Sequence, residues 1–327
     1  MKQRIQYLDS LRGGAILLVI LGHCLQTGDC YNDYVWNLIY SFHMALFMAV
    51  SGFVSYRESL VWTTIKKRAL ELLLPFFSWS LAVAFVLGNG ISTFIKMLRY
   101  PDSSLWFLWV LFFIILLTHV SCWLAKILRV KQELVTLFVA IALSLSMVLF
   151  EIRIFGYQFI AFHFLFYSLG FYMRKYQERL FVTKLPFLVV VGLLWFGGAS
   201  FYRMHDLPFF LEGIPLPSSL MVYAYRFVVA ALAIVFMLPL SSLLLEKKNA
   251  INSILAYLGK ISLGLYAVHL TFLHFAGSVY EYLFKSEAAG TTYACIMFPA
   301  LTVFSVLVVV ALQRIPILSL LLLGKKK

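Results

Sequence analysis

The sequence predicts an all-α integral membrane protein, a polytopic helical bundle with about ten transmembrane helices. Hydrophobic residues make up 62% of the 327 residues and charged residues only 13%, about half the charged fraction of a soluble domain. The mean hydropathy is +0.91. Aromatic residues reach 17%, as expected when Trp and Tyr gather at two membrane interfaces. Lipid, rather than water, is therefore the expected solvent.

The spans follow from apolar stretches long enough to cross a bilayer, separated by charge, Gly and Pro clusters. They are 11–28, 34–54, 69–88, 105–125, 134–150, 157–173, 184–202, 220–245, 254–276 and 291–313. The first stretch lacks a signal-peptide cleavage site and is expected to remain as a helix. The longest segment between spans, 203–219, is too short to fold alone and is predicted to form an outer surface or re-entrant loop. We therefore expect one transmembrane domain over 1–327, with no appended soluble domain.

The distribution of positive charge orients these spans, because Lys and Arg concentrate in cytoplasmic loops. With the N-terminus inside, 21 of the 27 basic residues fall on the cytoplasmic side. Both termini are thus predicted to be cytoplasmic. The net charge of +13 reads as a topology signal, so the expected partner is a lipid bilayer and not nucleic acid.

The cysteines show no CxxC pair and no metal-ligand spacing, and we interpret them as packing residues. They are Cys24, Cys30, Cys122 and Cys295. Neither a metal site nor a permanently bound cofactor is expected.

Ionisable residues within predicted spans are default site hypotheses, because burying them in hydrocarbon costs a few kcal/mol. They are Arg12, His23, His43, His163, Arg226 and His269. In the oriented arrangement the four histidines share the outer half of the bilayer, whereas His119 falls in the inner half. The alternative is that these histidines form structural hydrogen bonds across helices. A zinc site is disfavoured, since no acidic or cysteine ligand accompanies them at a helical spacing.

The spacing of Arg12 and His23 is close to three helical turns, so both side chains share one helix face, roughly 16 Å apart. That face links the cytoplasmic entrance to a proton acceptor deep in the bundle. Asp9, one turn before Arg12, is expected either to hold its guanidinium or to be solvated.

Residues 7–23, YLDSLRGGAILLVILGH, resemble the first-helix signature of the membrane acyltransferase-3 family, whose hallmark is this Arg-x10-His frame. Further resemblances follow in the family's order: SFHMALFMAVSGF at 41–53, LWFL at 105–108, FYSLGFY at 166–172 and LGKISLGLYAVH at 258–269. Together they cover essentially the whole chain. The first two helices are similar to the fucose 4-O-acetylase-like, polysaccharide O-acyltransferase branch.

The resemblance implies a multi-pass O-acyltransferase of the bacterial cytoplasmic (inner) membrane. Such an enzyme takes an acyl group, usually acetyl, from cytoplasmic acyl-CoA and places it on a sugar hydroxyl of a surface glycan, exopolysaccharide or lipid-linked precursor. Acetyl-CoA or another acyl-CoA is then the donor substrate. Arg12 and His23 match the family's essential pair. The positions that match supporting motif residues are His43, Ser51, Trp106, Tyr266 and His269.

One departure concerns the loop before the third helix. The family often has an Arg-x-x-Arg pair there, whereas this chain has Lys66, Lys67 and Arg68 followed by Glu71. The three basic residues are candidates for holding the donor phosphates, with a topology signal as the equal alternative.

Acyl transfer needs a base for the hydroxyl proton, donors for the oxyanion and cations for the CoA phosphates. We expect His23 to be the base, because a free imidazole is mostly neutral at pH 7. Arg12 would attract the donor. His43 would orient His23 or donate to the oxyanion, and Arg226 would donate to the oxyanion or pair with Glu151. Direct transfer and an acetyl-histidine intermediate both remain open.

Two other function classes compete. A transporter or glycan exporter would also use many helices with polar groups at mid-depth, but the chain lacks the internal repeat common in transporters. A structural membrane protein would use its polar residues only to lock helices together. The sequence leaves open the glycan, the hydroxyl acylated, acetyl versus succinyl transfer, and the oligomeric state.

Overall fold

The computed structural model describes residues 5–31, 33–56, 62–86, 88–103, 105–150, 152–247, 249–283 and 290–325. Within these ranges the chain is helical and contains no strand, which confirms the predicted fold class. The helices are α1 (Gln6–Thr27), α2 (Tyr34–Tyr40), α3 (His43–Ser55), α4 (Trp62–Val86), α5 (Ile91–Arg99), α6 (Trp106–Leu128), α7 (Gln132–Phe150), α8 (Tyr157–Lys175), α9 (Gln177–Leu180), α10 (Leu185–Ser200), α11 (Ser218–Leu244), α12 (Ala250–Lys260), α13 (Ser262–Leu283), α14 (Gly290–Arg314) and α15 (Pro316–Leu323).

All ten predicted spans fall on helices, but two differ from a straight, full-length crossing. Among the described residues, 8 spans are long and apolar enough to cross a membrane, with α2 and α3 together forming one of them. The predicted span 254–276 is the pair α12 and α13, which bend by 72° at Ile261 and make a ninth if counted as one span. The predicted span 184–202 is α10, an apolar helix of 16 residues. Hydropathy alone shows neither a bend nor a shortened helix.

The chain divides into two compact units, each built from separated stretches of sequence. The first contains 1–50 and 172–309, and the second contains 51–171 and 310–327.

Direct backbone contact between α1 and α12 organises the first unit. A Cβ at Gly13 would overlap the carbonyl of Leu255, and a Cβ at Gly259 would overlap the carbonyl of Asp9. Ser10 Oγ donates a hydrogen bond of 3.0 Å to the carbonyl of Asn252. Because α13 follows α12 directly and also packs on α1, this contact places the ninth-helix motif beside the first-helix motif.

In the second unit, α15 packs on α4, and Trp79 Nε1 donates to the carbonyl of Leu322 at 2.9 Å. Gly52 of α3 contacts the carbonyl of Tyr167 so closely that a Cβ would overlap it. The Tyr167 hydroxyl donates to Ser55 Oγ at 2.6 Å. The second-helix and sixth-helix motifs therefore pack against each other, and Gly52 of the Ser-Gly-Phe string is required by close packing.

Three cysteines are buried and free, namely Cys24, Cys30 and Cys122, as the packing interpretation requires. Cys295 is exposed on α14, so that interpretation is wrong for it. The segment 203–217 contains a single 3₁₀ turn, Phe209–Leu211, and exposes most of its side chains. The segment is therefore a surface loop, one of the two forms predicted for it, the other being a re-entrant loop.

Candidate active site

The Arg-x10-His frame lies on one uninterrupted helix, α1, which begins several residues before the predicted span. Asp9 is 3% exposed, and its Oδ1 lies 4.0 Å from Nη1 of Arg12. A solvated Asp9 is therefore excluded, and the carboxylate helps to hold the guanidinium. The Arg12 side chain remains 24% exposed, so it can still meet a ligand.

His23 lies next to His269 of α13, with ring centroids 5.5 Å apart. His23 is half-buried, whereas His269 is fully buried at 0% exposure. His23 is thus the imidazole of this pair that an incoming substrate can reach.

Tyr40 is the polar neighbour of His23 on α2. Its hydroxyl donates to Gln26 Oε1 at 3.0 Å and lies 3.5 Å from Nδ1 of His23. With that hydroxyl hydrogen donated to Gln26, the Tyr40 oxygen can accept from Nδ1–H of His23, in the tautomer that leaves Nε2 as the proton acceptor. The Tyr40 ring stacks on Trp36 with centroids 3.9 Å apart.

His269 has the same tautomer for a different reason. Its Nδ1–H donates to the carbonyl of Leu265 at 2.8 Å, since a carbonyl can only accept. Its Nε2 is buried and has no hydrogen-bond partner among the described residues. Its lone pair is available to accept a hydrogen bond from a bound group. Tyr266, one turn earlier on α13, lies 6.0 Å from the His269 ring.

His43 joins this group through Tyr40, with ring centroids 4.7 Å apart. Its Nδ1–H donates to the carbonyl of Ile39 at 2.8 Å. We call His23, Tyr40, His43 and His269 the histidine cluster.

His163 lies in the second unit, where its ring is 5.1 Å from Trp106. Trp106 also stacks on Phe159 at 4.7 Å. These two predicted site residues are therefore neighbours. The prediction that all four histidines share one depth stays a prediction.

Two other predicted site residues have definite surroundings. Arg226 of α11 donates from Nη1 to the carbonyl of Met204 at 3.3 Å, so it anchors the start of the 203–217 segment. Glu151, its predicted acidic partner, lies outside the described residues. Ser51 is half-buried on α3 beside Gly52.

The predicted location of the basic triplet is wrong. Lys66, Lys67 and Arg68 lie within the first turns of α4 and not in a loop before it. Glu71 pairs with Arg68 at 2.7 Å and with Lys67 at 3.8 Å. The helix continues through this charged stretch because the i,i+3 and i,i+4 pairs support it. This pairing offsets part of the charge that donor phosphates would meet.

Sequence reasoning missed Tyr40, Gln26 and Trp36. A signal existed for two of them, because Tyr40 precedes His43 by three residues and Gln26 follows His23 by three, the spacing of neighbours on one helix face. Only the fold brings these two faces together.

Comparison with known families decides what kind of protein carries this cluster. The profile of the acyltransferase-3 family, described as an acyltransferase domain, matches residues 5–313. The chain belongs to this family. The resemblance predicted from the motifs is confirmed, and the α1, α3, α6, α8 and α12–α13 motifs lie within the matched range.

Two curated relatives of this acyltransferase-family chain are described as Nodulation protein NolL. The one from Mesorhizobium japonicum is 33% identical over 129 residues, and the one from Sinorhizobium fredii is 32% identical over 126 residues. Each alignment covers 34% of this chain and 34% of the relative, so the chain spans about a third of the length of the curated relatives it matches. No solved structure matches the chain.

Proposed function

We propose that this family member is a membrane-embedded O-acyltransferase that moves an acyl group, acetyl in the first instance, from cytoplasmic acyl-CoA to a sugar hydroxyl of a cell-surface or exopolysaccharide glycan. We place it in the bacterial cytoplasmic membrane. One observation supports the proposal most strongly. His23, on the same helix as Arg12, is reachable and lies next to the buried His269 of α13.

In the proposed reaction, Nε2 of His23 removes the proton of the acceptor hydroxyl as that oxygen attacks the thioester carbonyl. The tetrahedral intermediate then collapses, the carbon–sulfur bond breaks, and the CoA thiolate takes the proton from the imidazolium. Tyr40 supports this cycle because it accepts from Nδ1–H and so keeps the lone pair on Nε2. When Nε2 takes the proton, the imidazole ring becomes positively charged, and the Tyr40 oxygen that accepts from Nδ1–H stabilises that charge.

The buried Nε2 of His269 is placed to contact the substrate. Its lone pair can accept a hydrogen bond from the acceptor sugar, which satisfies an atom that otherwise has no partner among the described residues. We assign His269 to orienting the acceptor and His43 to holding Tyr40. Arg12, held by Asp9, would attract the donor from the other end of α1.

The competing transporter hypothesis gains one observation, the break between α12 and α13, because broken helices line substrate paths in transporters. Under that hypothesis the histidine cluster would bind the transported solute and would catalyse no acyl transfer.

The test is acyl transfer by membranes that contain the protein, incubated with acetyl-CoA labelled in the acetyl group and the cell's own glycan. His23→Ala should abolish glycan labelling, since loss of a general base costs about 10²–10⁴-fold. His119→Ala is the matched control, because His119 is also a helical histidine with a buried Nε2 but lies outside the histidine cluster. Retained transfer in His23→Ala, or label left on CoA by the unsubstituted protein, would refute the proposal.

A further inference from the structure

A cavity of about 450 Å³ lies at the end of α6 in the second unit, within the usual size of ligand pockets, about 300–1,000 Å³. Its lining comes from three parts of this unit: Tyr56 after α3, the end of α6 with the turn into α7, and Phe171 of α8. We call it the turn pocket. The charge distribution predicts that this turn faces the cytoplasm.

The turn pocket is positively charged. Lys126 and Arg129 line it, no carboxylate contributes to its described lining, and neither cation forms an ion pair within the part of the chain that the structure describes. Lys67 and Arg68, in contrast, are paired with Glu71. Uncompensated cations in a concave site concentrate anionic ligands.

The backbone around the turn pocket adds to this preference. Gln132, a lining residue, is the first residue of the 19-residue helix α7, and the N-terminus of a helix favours anions. At the end of α6, the amides of Arg129 and Val130 donate to the carbonyls of Lys126 and Ala125. These two carbonyl oxygens are therefore already hydrogen-bonded. Two cations and the first residue of α7 thus line the cavity together.

An aromatic wall completes the turn pocket. Tyr56 is 38% exposed and meets Phe171 edge to face, with ring centroids 5.2 Å apart. The open face of Tyr56 can stack on a planar base. A flat ring beside two phosphate-binding cations fits a nucleotide better than it fits a lipid headgroup, which has no planar ring.

We infer that the turn pocket binds the adenosine 3′,5′-bisphosphate end of the acyl-CoA donor. The choice of donor rests on the proposed function, whereas the phosphate and base chemistry rests on the pocket alone. A second basic cavity, within 175–183, fits less well. Glu178 lines it, and Lys175 already lies over the rings of Tyr172 and Tyr176.

The variants follow from local geometry. Arg129 has a φ of 54°, the left-handed conformation in which glycine is the preferred residue after a helix. Arg129→Gly therefore removes the guanidinium without straining the turn. Lys126→Gln removes the other cation, and Lys131→Gln is the control, because Lys131 is exposed in the same turn but does not line the cavity.

The experiment measures binding of adenosine 3′,5′-bisphosphate to the purified full-length protein by titration calorimetry. The combined Arg129→Gly, Lys126→Gln variant should bind at least about tenfold more weakly, since charge-assisted bonds to phosphate are lost. Lys131→Gln and His23→Ala should bind like the unsubstituted protein.

Unchanged affinity in the combined variant, or no binding by the unsubstituted protein, would overturn the inference. Repeating the titration in nanodiscs with and without phosphatidylglycerol distinguishes a nucleotide site from a lipid headgroup site. Full displacement of the probe by that lipid would also overturn the inference. The His23→Ala protein keeps the two proposals apart. If no protein transfers acetyl but the probe still requires Arg129 and Lys126, the proposed function fails and the site stands.

Discussion

At the scale of single residues, four of the described histidines share a hydrogen-bonding pattern. His43, His119, His163 and His269 each donate from Nδ1 to the carbonyl four residues earlier. These bonds are local to a helical turn, so they do not provide the cross-helix links that the structural alternative invokes. His23 differs, because its Nδ1 faces the hydroxyl of Tyr40 on another helix. His23, whose Nδ1 faces a hydroxyl on another helix, is the histidine to which we assign the proposed base.

Tyr40→Phe tests this arrangement. The phenylalanine ring keeps the stacking on Trp36 but loses the oxygen that accepts from His23, so the imidazole is free to rotate and to change tautomer. We expect kcat for acetyl transfer to fall about 10- to 100-fold, less than the loss of the general base itself, about 10²–10⁴-fold, with little change in KM for acetyl-CoA. Steady-state kinetics on the purified protein measure both values.

The matched control is Tyr34→Phe, because Tyr34 lies on the same short helix but is 53% exposed. Equal losses in both variants, or a parallel fall in thermal stability for Tyr40→Phe, would show that Tyr40 acts on the fold and not on His23.

At the scale of helices, the contact of α1 with α12 determines whether the histidine cluster forms. Gly13→Ala would press a methyl group into the carbonyl of Leu255, and such overpacking costs about 1–3 kcal/mol. Gly14→Ala is its neighbour and control, because nothing lies within 4 Å of a Cβ there, so stability should stay equal or rise. Thermal unfolding in detergent reads both out, and equal melting temperatures would contradict the observed contact.

Helices and their order could be predicted from the sequence, because long apolar runs and charge clusters are local signals. The bend at Ile261 and the docking of α15 on α4 could not, since both depend on tertiary packing. The same division holds in the site. Arg12 and His23 could be predicted from one helix face, and His43 and His269 from their position within predicted spans and from the motif resemblance. The contact of Tyr40 with His23 required the loop between α1 and α2 to bring two faces together.

At the scale of the whole molecule, the orientation in the membrane is the prediction on which the proposed reaction depends. The proposed donor is cytoplasmic, so the proposal requires that the basic end of α1 face the cytoplasm and that the 203–217 segment face outward. Charge supports this arrangement, because 21 of 27 basic residues fall on the side predicted to be inside. Because this charge pattern lies mainly in the loops, it predicts the orientation without reference to the proposed reaction.

Cysteine accessibility tests this orientation with two matched substitutions, Glu178→Cys and Glu212→Cys, both at exposed positions of the first unit. A Cys295→Ser background removes the one exposed native cysteine among the described residues. In intact cells, a membrane-impermeant maleimide should label Glu212→Cys only, because residue 178 lies in a loop predicted to be cytoplasmic. After the membrane is opened, both should react. Labelling of Glu178→Cys in intact cells would invert the topology and place the Arg12 end of α1 on the wrong side for a cytoplasmic donor.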